Sequence, residues 1–240
     1  MTDYVIADIH GNYEGFKNIL KEVNYDMEMG TDSLIILGDI VDGGRKTRQC
    51  INFALSLPNM IFIVGNHDEW CLQWMKGGPE LPIWVHQGGY ATMESYDYKR
   101  ENVPQSHIDL LQNAPYYIIK DDMIFVHGGF NPLVPIQNNK PEFLIWDRTL
   151  IKYAKENPVG GYSKVFVGHT STQLYGNKTV PQFFNNLIMC DTGGGWNGSL
   201  SIIDINTLKY WQVGGVHQQG FERDKVSNKK TYIYDSDWSK

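Results

Sequence analysis

Eight side chains of this 240-residue chain combine the residue types and the spacing that a divalent metal site needs. They occur in five short groups, each with a glycine inside or beside it: Asp8 and His10, Asp39 and Asp42, Asn66 and His67, His127, and His169. Carboxylate, imidazole and amide oxygen ligands together suit Mn²⁺, Fe or Zn²⁺. A single aspartate or histidine of this kind is usually a turn or capping residue, but five groups in equivalent positions predict a metal centre.

Each group directly follows a short apolar run rich in β-branched residues. The runs cover residues 4–7, 34–37, 61–64, 123–126 and 165–167, and runs of this length bounded by turn residues predict buried strands. Helical periodicity over 14–23, 47–57 and 68–75 follows the first three runs, and strand–helix alternation predicts parallel strands. Because ligands bind beyond the carboxyl ends of such strands, we expect all five groups to gather at one edge of the sheet core.

The last third of the chain has a strand pattern. Apolar residues predict strands over 187–190, 200–205 and 208–213, with Asn206 and Thr207 as the hairpin connection between the last two. The three glycines at 193–195 are not followed by the helix and lysine of a phosphate-binding loop. We therefore expect them to form a turn near the edge of the sheet core where the five groups gather, which we call the metal edge.

The five groups, in this order, resemble the signature of the metallophosphoesterases, and within them the phosphoprotein phosphatase branch. That signature reads GDxHG, GDxxDRG, GNHE, HGG and GHT, and it appears here at residues 7–11, 38–44, 65–68, 127–129 and 168–170. The similarity to phage-type and bacterial members continues through residues 84–96 and 191–193. Nuclease-type relatives carry a further histidine where this chain has Ser171, which favours the phosphatase branch.

The resemblance implies an α/β fold of the calcineurin-like metallophosphoesterase type. Two packed mixed β-sheets would be flanked by helices, with a small helical cap at about residues 70–117. We expect this domain to cover residues 1–215 and a polar C-terminal tail to cover residues 216–240. The aromatic residues of the cap segment could stack a base or cradle a peptide, but we expect most of them in the core between helices.

The resemblance also implies two divalent metal ions, with Mn²⁺ expected first and Fe or Zn²⁺ as alternatives. Asp8 and His10 would hold one ion, Asn66, His127 and His169 would hold the other, and Asp39 would bridge both. Two such ions would activate a bridging hydroxide for in-line attack on phosphorus.

Catalytic roles follow from the same resemblance. His67 would act as the general acid that protonates the leaving alkoxide, with Asp42 holding its imidazole ring.

Substrate phosphate binding is where the chain departs from the family pattern. Gly43 stands where the family has the arginine of GDxxDRG, and a bidentate guanidinium contact is hard to replace. Arg45 or Arg48 could reach over from the next turn. Arg148, which follows a tryptophan by two residues as in phage-type members, is the leading phosphate ligand, and Asn66 would assist.

These roles predict a metal-dependent phosphatase that hydrolyses phosphomonoesters and resembles Ser/Thr phosphoprotein phosphatases. Two alternatives stay open. One is symmetrical hydrolysis of bis(5'-nucleosyl) tetraphosphates, which Asp68 favours because diadenosine-tetraphosphate hydrolases of this family also carry aspartate there. The other is a metal-binding interaction module with weak catalysis, which the missing arginine would explain.

Composition restricts the partners. The 21 Lys and Arg against 27 Asp and Glu give a formal charge of −6, which argues against a broad nucleic-acid surface or a membrane surface. A phosphorylated peptide, protein or small molecule would be attracted locally by the metal ions. No apolar run is long enough for a membrane helix, no signal-peptide pattern begins the chain, and Cys50, Cys71 and Cys190 lie in apolar patterns. We expect a monomer in the cytoplasm.

Overall fold

The computed structural model of the protein describes residues 2–176 and 178–215, so the predicted tail over 216–240 lies outside the described residues. The strands are β1 Asp3–Ile6, β2 Ser33–Ile36, β3 Met60–Phe62, β4 Tyr117–Lys120, β5 Met123–Val126, β6 Lys164–Val167, β7 Gln182–Phe184, β8 Leu187–Met189, β9 Ser199–Asp204 and β10 Tyr210–Gly214. The helices are α1 Tyr13–Glu22, α2 Thr47–Ser56, α3 Asn66–Met75, α4 Pro82–Trp84, α5 Tyr90–Ser95, α6 Gln105–Asn113, α7 Pro141–Trp146 and α8 Thr149–Glu156.

The strands form two five-stranded sheets of similar design. The strand order is β10-β9-β1-β2-β3 in the first sheet and β4-β5-β6-β8-β7 in the second. Three parallel strands lie together in each sheet, β1, β2 and β3 in one and β5, β6 and β8 in the other. The remaining strands are antiparallel to their neighbours. This confirms the predicted architecture of two mixed sheets flanked by helices.

The five strands that precede the chemical groups are divided between the two sheets. The first three belong to the first sheet and the last two to the second. The edge strands β4 and β7 were not predicted from the sequence, although β4 contains the apolar residues Tyr117, Ile118 and Ile119. In β7 the central residue, Phe183, is exposed.

The two sheets pack face to face. Side chains along each strand point alternately to the helices and to the other sheet, which explains why the predicted runs are continuously apolar. In β1, Tyr4 and Ile6 belong to the apolar cluster shared with the helices, whereas Val5 belongs to the cluster between the sheets. A strand covered on both faces has no polar side. Between the sheets, the rings of Phe125 and Phe166 stack in parallel with centroids 4.8 Å apart.

Helices α3 to α6 form the segment that was predicted as a cap, and they share the core of the first sheet. Trp74, Trp84 and Tyr96 are buried in the same apolar cluster as Phe16. Of the eight aromatic residues of this segment these three are buried, whereas Tyr90 and Tyr98 are about half exposed, so the expectation that most of them lie in the core holds for three of the eight. A kinked turn over Val85–Gly89, in which Gly88 has φ 110°, joins α4 to α5, and a hydrogen bond from Gly43 N–H to Gly88 O holds it against the metal edge.

None of the helices in the described part of the chain is long and apolar enough to cross a membrane. The three cysteines are buried thiols, which agrees with their positions in apolar patterns.

Candidate metal centre

The loops that carry the chemical groups have unusual backbone conformations. Five of the eight candidate residues lie in the left-handed region, with φ between 48° and 68°: Asp8, His10, Asp39, Asp42 and His169. Residues with a side chain adopt this region rarely, and backbone strain of this kind concentrates at functional sites. Hydrogen bonds from the backbone N–H of His10 to Asp39 O (2.9 Å) and of Gly11 to Ile40 O (3.0 Å) hold the loops after β1 and β2 together.

Glycines allow the loops to approach the functional side chains. A Cβ atom on Gly65 would collide with the Asp39 carboxylate, and one on Gly195 would collide with the His10 ring. The glycine turn at 193–195 therefore lies against the metal edge, as predicted.

Two histidines are fixed by backbone carbonyls so that their Nε2 atoms face the same carboxylate. His127 Nδ1 lies 2.6 Å from Leu37 O, and its Nε2 lies 3.3 Å from Asp39 Oδ2. His10 Nδ1 lies 2.9 Å from Val41 O, and its Nε2 lies 3.8 Å from Asp39 Oδ2. When Nδ1–H donates to a carbonyl, Nε2 is left as a lone-pair ligand, which is the usual arrangement of metal-binding histidines.

Asp39 belongs to two groups of side chains that could each hold a metal ion. His10, Asp39 and His67 form one group, and Asp39, His127 and His169 form the other, with ligand atoms within 4.8 Å of one another in each.

The remaining candidates, Asp8 and Asn66, lie beside these groups. Asp8 Oδ1 is 3.9 Å from His10 Nε2, and Asn66 Oδ1 is 3.0 Å from His127 Nε2. The backbone N–H of His169 donates to Asp8 Oδ2 at 3.0 Å, which ties the second sheet to the first. All eight predicted side chains are thus brought together.

The donor set fits divalent metal ions. His169 Nε2 is buried without a hydrogen-bond partner in the described chain, and a buried polar atom of this kind calls for a ligand. Burial, together with Coulombic repulsion from His127 and Arg148, holds the pKa of His169 well below its ordinary value. Burial lowers the pKa of His10 to about 4. The rings of His169 and His10 are therefore neutral at pH 7, as metal ligands must be. At His127 the Asp39 carboxylate outweighs burial and raises the pKa to about 10, so a metal ion bound there would displace a proton from this ring.

The surroundings of Asp39 keep it ionised. Burial opposes its charge, but the nearby imidazoles, His127 first, outweigh burial and lower the pKa of Asp39 below its ordinary value. The pKa of Asp8 is raised well above its ordinary value by burial and by the neighbouring carboxylate of Asp191. Cations bound here would favour the ionised forms of Asp8 and Asp39 and so offset the effect of burial.

A buried dyad of His67 and Asp42 lies beside the first group. His67 Nδ1 is 2.7 Å from Asp42 Oδ2, which also accepts from Trp84 Nε1 at 2.8 Å. Thr92 Oγ1 donates to Asp42 Oδ1 at 2.7 Å and accepts from the Asp42 N–H at 2.9 Å. Burial disfavours the charged ring, but Asp39 and Asp42 outweigh burial and raise the pKa of His67.

Four buried side chains of the site were given no role from the sequence: Trp84, Thr92, Asp68 and Asp191. Trp84 and Thr92 lie in the segment 84–96 that resembles phage-type and bacterial members, but its pattern did not indicate that they contact Asp42. Asp68 caps α3 by accepting from Gly65 N–H at 2.8 Å, and it also accepts from Asp39 N–H at 2.6 Å. An acidic residue at the third helical position is a recognisable capping signal.

Asp191 follows β8 in the same strand-end position as the five groups, and that position is the signal that could have identified it. Its Oδ1 accepts from the backbone N–H of Gly193 at 2.8 Å. Burial raises its pKa to about 6.

The arginines lie in different surroundings. Arg148 is exposed at the start of α8, and no hydrogen bond or ion pair within the described chain holds its guanidinium group. Arg45 forms an ion pair with Glu94 of α5, with Nε 3.2 Å from Oε2. Arg48 is half-buried beside the cap helices, where its charge adds to the effect of burial in lowering the pKa of His107 to about 4.

The absence of an arginine at position 43 has a structural reason. Gly43 has φ +72°, and its N–H donates to Gly88 O of the kinked turn at 3.3 Å. A Cβ atom there would lie 3.3 Å from both Gly195 O and His10 Cβ. A long side chain at this position would be strained and crowded.

Comparison with known proteins gives a consistent result. A model of the calcineurin-like phosphoesterase family matches residues 1–217. The asymmetrical bis(5'-nucleosyl)-tetraphosphatase of Anoxybacillus flavithermus is 26% identical over 217 residues, which are 83% of this chain and 88% of the relative.

Two solved structures show the same fold. A crystal structure provisionally named as a diadenosine tetraphosphatase has a TM-score of 0.66 at 16% identity, covering 89% of this chain and 93% of that one. The cold-active protein-tyrosine phosphatase of a Shewanella species has a TM-score of 0.61 at 18% identity, covering 88% of this chain and 80% of that one.

Proposed function

The chain belongs to the calcineurin-like phosphoesterase family, and on this premise we propose that its strand-end groups form the family's dinuclear metal centre. Asp8 and His10 would hold one divalent ion, Asn66, His127 and His169 would hold the other, and Asp39 would be shared by both. Mn²⁺ is the first candidate for both positions. The place of Asp39 in both ligand groups supports this assignment, as does the unpartnered Nε2 of His169.

We propose that the reaction is hydrolysis of a phosphoric ester or anhydride. When bound, two divalent ions supply charge neutralisation on the phosphoryl oxygens and activation of water. His67 donates a proton from Nε2 to the leaving oxygen, since its Nδ1 is engaged by Asp42. Arg148, with a guanidinium group that no other described side chain engages, binds the substrate phosphate, while Asn66 and Arg45 remain further phosphate ligands to be tested.

The observation that carries the proposal is the buried His67–Asp42 dyad next to the shared carboxylate of Asp39. A metal-binding interaction module needs the ligands but has no use for a hydrogen-bonded acid dyad. Three donors to the Asp42 carboxylate, from His67, Trp84 and Thr92, fix the position of the His67 ring. The arrangement therefore favours an enzyme over a module.

For the substrate, we propose a small phosphorylated molecule, with dinucleoside tetraphosphates first. The relative at 26% identity is named as such a hydrolase and aligns over most of both chains. The expectation of a Ser/Thr phosphoprotein phosphatase has no comparable support, because the phosphatase structures are too distant in sequence to indicate more than the fold.

The test is a parallel assay of the Mn²⁺-loaded protein on diadenosine tetraphosphate, p-nitrophenyl phosphate and a phosphoserine peptide. We expect the highest kcat/KM for diadenosine tetraphosphate. The products show the cleavage site, since ATP and AMP indicate asymmetrical cleavage and two ADP indicate symmetrical cleavage. No hydrolysis of any substrate with Mn²⁺, Fe²⁺ or Zn²⁺ would overturn the proposed activity, and dominance of the phosphopeptide would overturn the proposed substrate.

Thr92→Val is expected to reduce kcat about tenfold while leaving the metal content unchanged. Valine keeps the shape of threonine but removes both hydrogen bonds to Asp42, and a buried group left unsatisfied costs on the order of 1–3 kcal/mol. Asp42 would then hold His67 less firmly, and the pKa values of the Asp42–His67 pair would change. The measurement is kcat and KM across pH, because a positioning role shifts the pH profile, whereas simple destabilisation does not.

Ser95→Ala is the matched control for Thr92→Val. Ser95 lies on the same helix, and its hydroxyl donates to the backbone oxygen of Thr92 without contacting Asp42. We expect wild-type kcat and an unshifted pH profile for this variant. Equal effects of the two substitutions would show that Thr92 has no specific role in the dyad.

A further inference from the structure

We infer that Trp70 and Trp146 form a stacking subsite for a planar aromatic ring of the substrate, with a nucleoside base as its occupant. This inference rests on the proposed hydrolase function and specifies the substrate class more closely. It concerns tryptophans on α3 and at the end of α7, which lie outside the metal-ligand set.

The first observation is a continuous arc of rings around the metal centre. Trp70 contacts the His67 ring, with centroids 5.4 Å apart and planes inclined by 75°. Trp70 also contacts Trp146 at 5.0 Å and 61°, and Trp146 contacts the His169 ring at 5.5 Å and 87°. The arc therefore connects the proposed acid to a proposed metal ligand.

The second observation is that these tryptophans are open to solvent. Trp146 is 39% exposed and Trp70 is half-buried, in contrast to Trp74 and Trp84, which are about 1% exposed. Inclined rings cannot cover each other as a parallel stack would, so the pair leaves ring surface available to a ligand. Exposed aromatic surface beside a polar site is a common mark of ligand binding.

The third observation is that the loop presenting Trp146 is held rigidly. Asp147 is buried and accepts from the N–H groups of Thr149 and Leu150, both at 2.9 Å. Gly128, next to His127, donates to Leu144 O at 2.8 Å and packs against the backbone of residues 145–147. The HGG motif thus fixes the loop against the metal edge, with Trp146 and Arg148 exposed on either side of Asp147.

The fourth observation is the charge next to the rings. Arg148 follows Trp146 by two residues, and both side chains are exposed. A guanidinium group for phosphate next to an aromatic surface for a ring is the pair of features that recognises a nucleotide.

The position of the subsite identifies the part of the substrate that it binds. His67 must lie beside the leaving oxygen if it protonates that atom, and Trp70 lies against His67. The group carried by the leaving oxygen is therefore directed toward Trp70 and Trp146. The aromatic ring bound there could be a nucleoside base or the ring of a phosphotyrosine, and the experiment below distinguishes these two ligands.

The experiment measures dissociation constants by titration calorimetry on the Mn²⁺-loaded protein. The ligands are two matched pairs, AMP with ribose 5-phosphate and phosphotyrosine with phosphoserine. We expect AMP to bind about tenfold more tightly than ribose 5-phosphate, in line with the strength of base–aromatic stacking. In Trp146→Leu this ratio should fall toward one, and Trp146→Phe should retain most of it.

Phe143→Leu is the matched control, because Phe143 lies on the same helix and is also 39% exposed. We expect it to keep the wild-type ratio. A ratio near one in the wild-type protein, or equal losses in Trp146→Leu and Phe143→Leu, would overturn the subsite. A preference confined to the phosphotyrosine pair and lost in Trp146→Leu would support the subsite but overturn the nucleoside base.

Binding and hydrolysis are separate measurements, and recovery of intact ligand is checked after each titration, so the two proposals fail separately. A protein that prefers AMP but hydrolyses no phosphate compound refutes the proposed function and retains the subsite. A protein that hydrolyses diadenosine tetraphosphate but shows no preference for AMP refutes the subsite alone.

Discussion

Replacing Asp39 with asparagine is expected to release both metal ions and to reduce hydrolysis by a factor on the order of 10³ or more. Asp39 is the carboxylate common to both ligand groups, and asparagine cannot bridge two cations with a negative charge. Asparagine keeps the Oδ1 atom that accepts from the His67 N–H at 2.9 Å, so the backbone should be retained. The loss therefore reports on the charge rather than on the fold.

The measurement is the metal content per chain by elemental analysis after dialysis, together with kcat/KM in excess Mn²⁺. Asp121→Asn is a matched control, since Asp121 is exposed and also has a left-handed backbone, with φ 54° against 51° at Asp39. We expect Asp121→Asn to keep both ions and full activity. An Asp39→Asn protein that retains two tightly bound ions would refute the bridging role.

Replacing His67 with alanine is expected to lower kcat by roughly 10²–10⁴ while both metal ions stay bound. His67 also lies near His10 and Asp39, so its Nε2 could be a metal ligand instead of a proton donor. The hydrogen bonds around Asp42 favour the donor, because they stabilise the protonated ring. Metal content and activity together separate the two roles.

The sharpest measurement for His67 compares leaving groups. Glycerol 2-phosphate releases a poor leaving group that needs a proton, whereas p-nitrophenolate departs without one. We expect His67→Ala to impair the first substrate far more than the second. His86→Ala, a change of an exposed histidine in the kinked turn, should affect neither. Loss of a metal ion from His67→Ala would show that His67 is a ligand.

The polar residues at the strand ends could be predicted from the sequence because the pattern that identifies them is local. The run from Tyr4 to Ala7 followed by Asp8 and His10 contains both the buried strand and its polar end within a few residues. The same holds for the groups around Asp39 and His127. The parallel order of β1, β2 and β3 followed from the helices between them, and the structure confirms it.

The parts that could not be predicted depend on long-range contacts. Trp84 and Thr92 lie 42 and 50 residues from Asp42 and support it only because α4 and α5 pack against the loop after β2. Their segment resembles the family pattern, but nothing in the local sequence shows that these two side chains contact Asp42. The division of the strands between two sheets, with the edge strands β4 and β7, likewise depends on pairing partners that periodicity does not reveal.

We propose that two metal ions at the edge of these sheets carry the hydrolase activity. Titration of the chelator-treated protein with Mn²⁺, following bound metal and hydrolysis of diadenosine tetraphosphate in the same samples, tests this dependence. We expect two ions bound per chain, with hydrolysis absent at the start and complete when both sites are filled. A single bound ion at full activity, or hydrolysis that persists without metal, would refute a dinuclear centre.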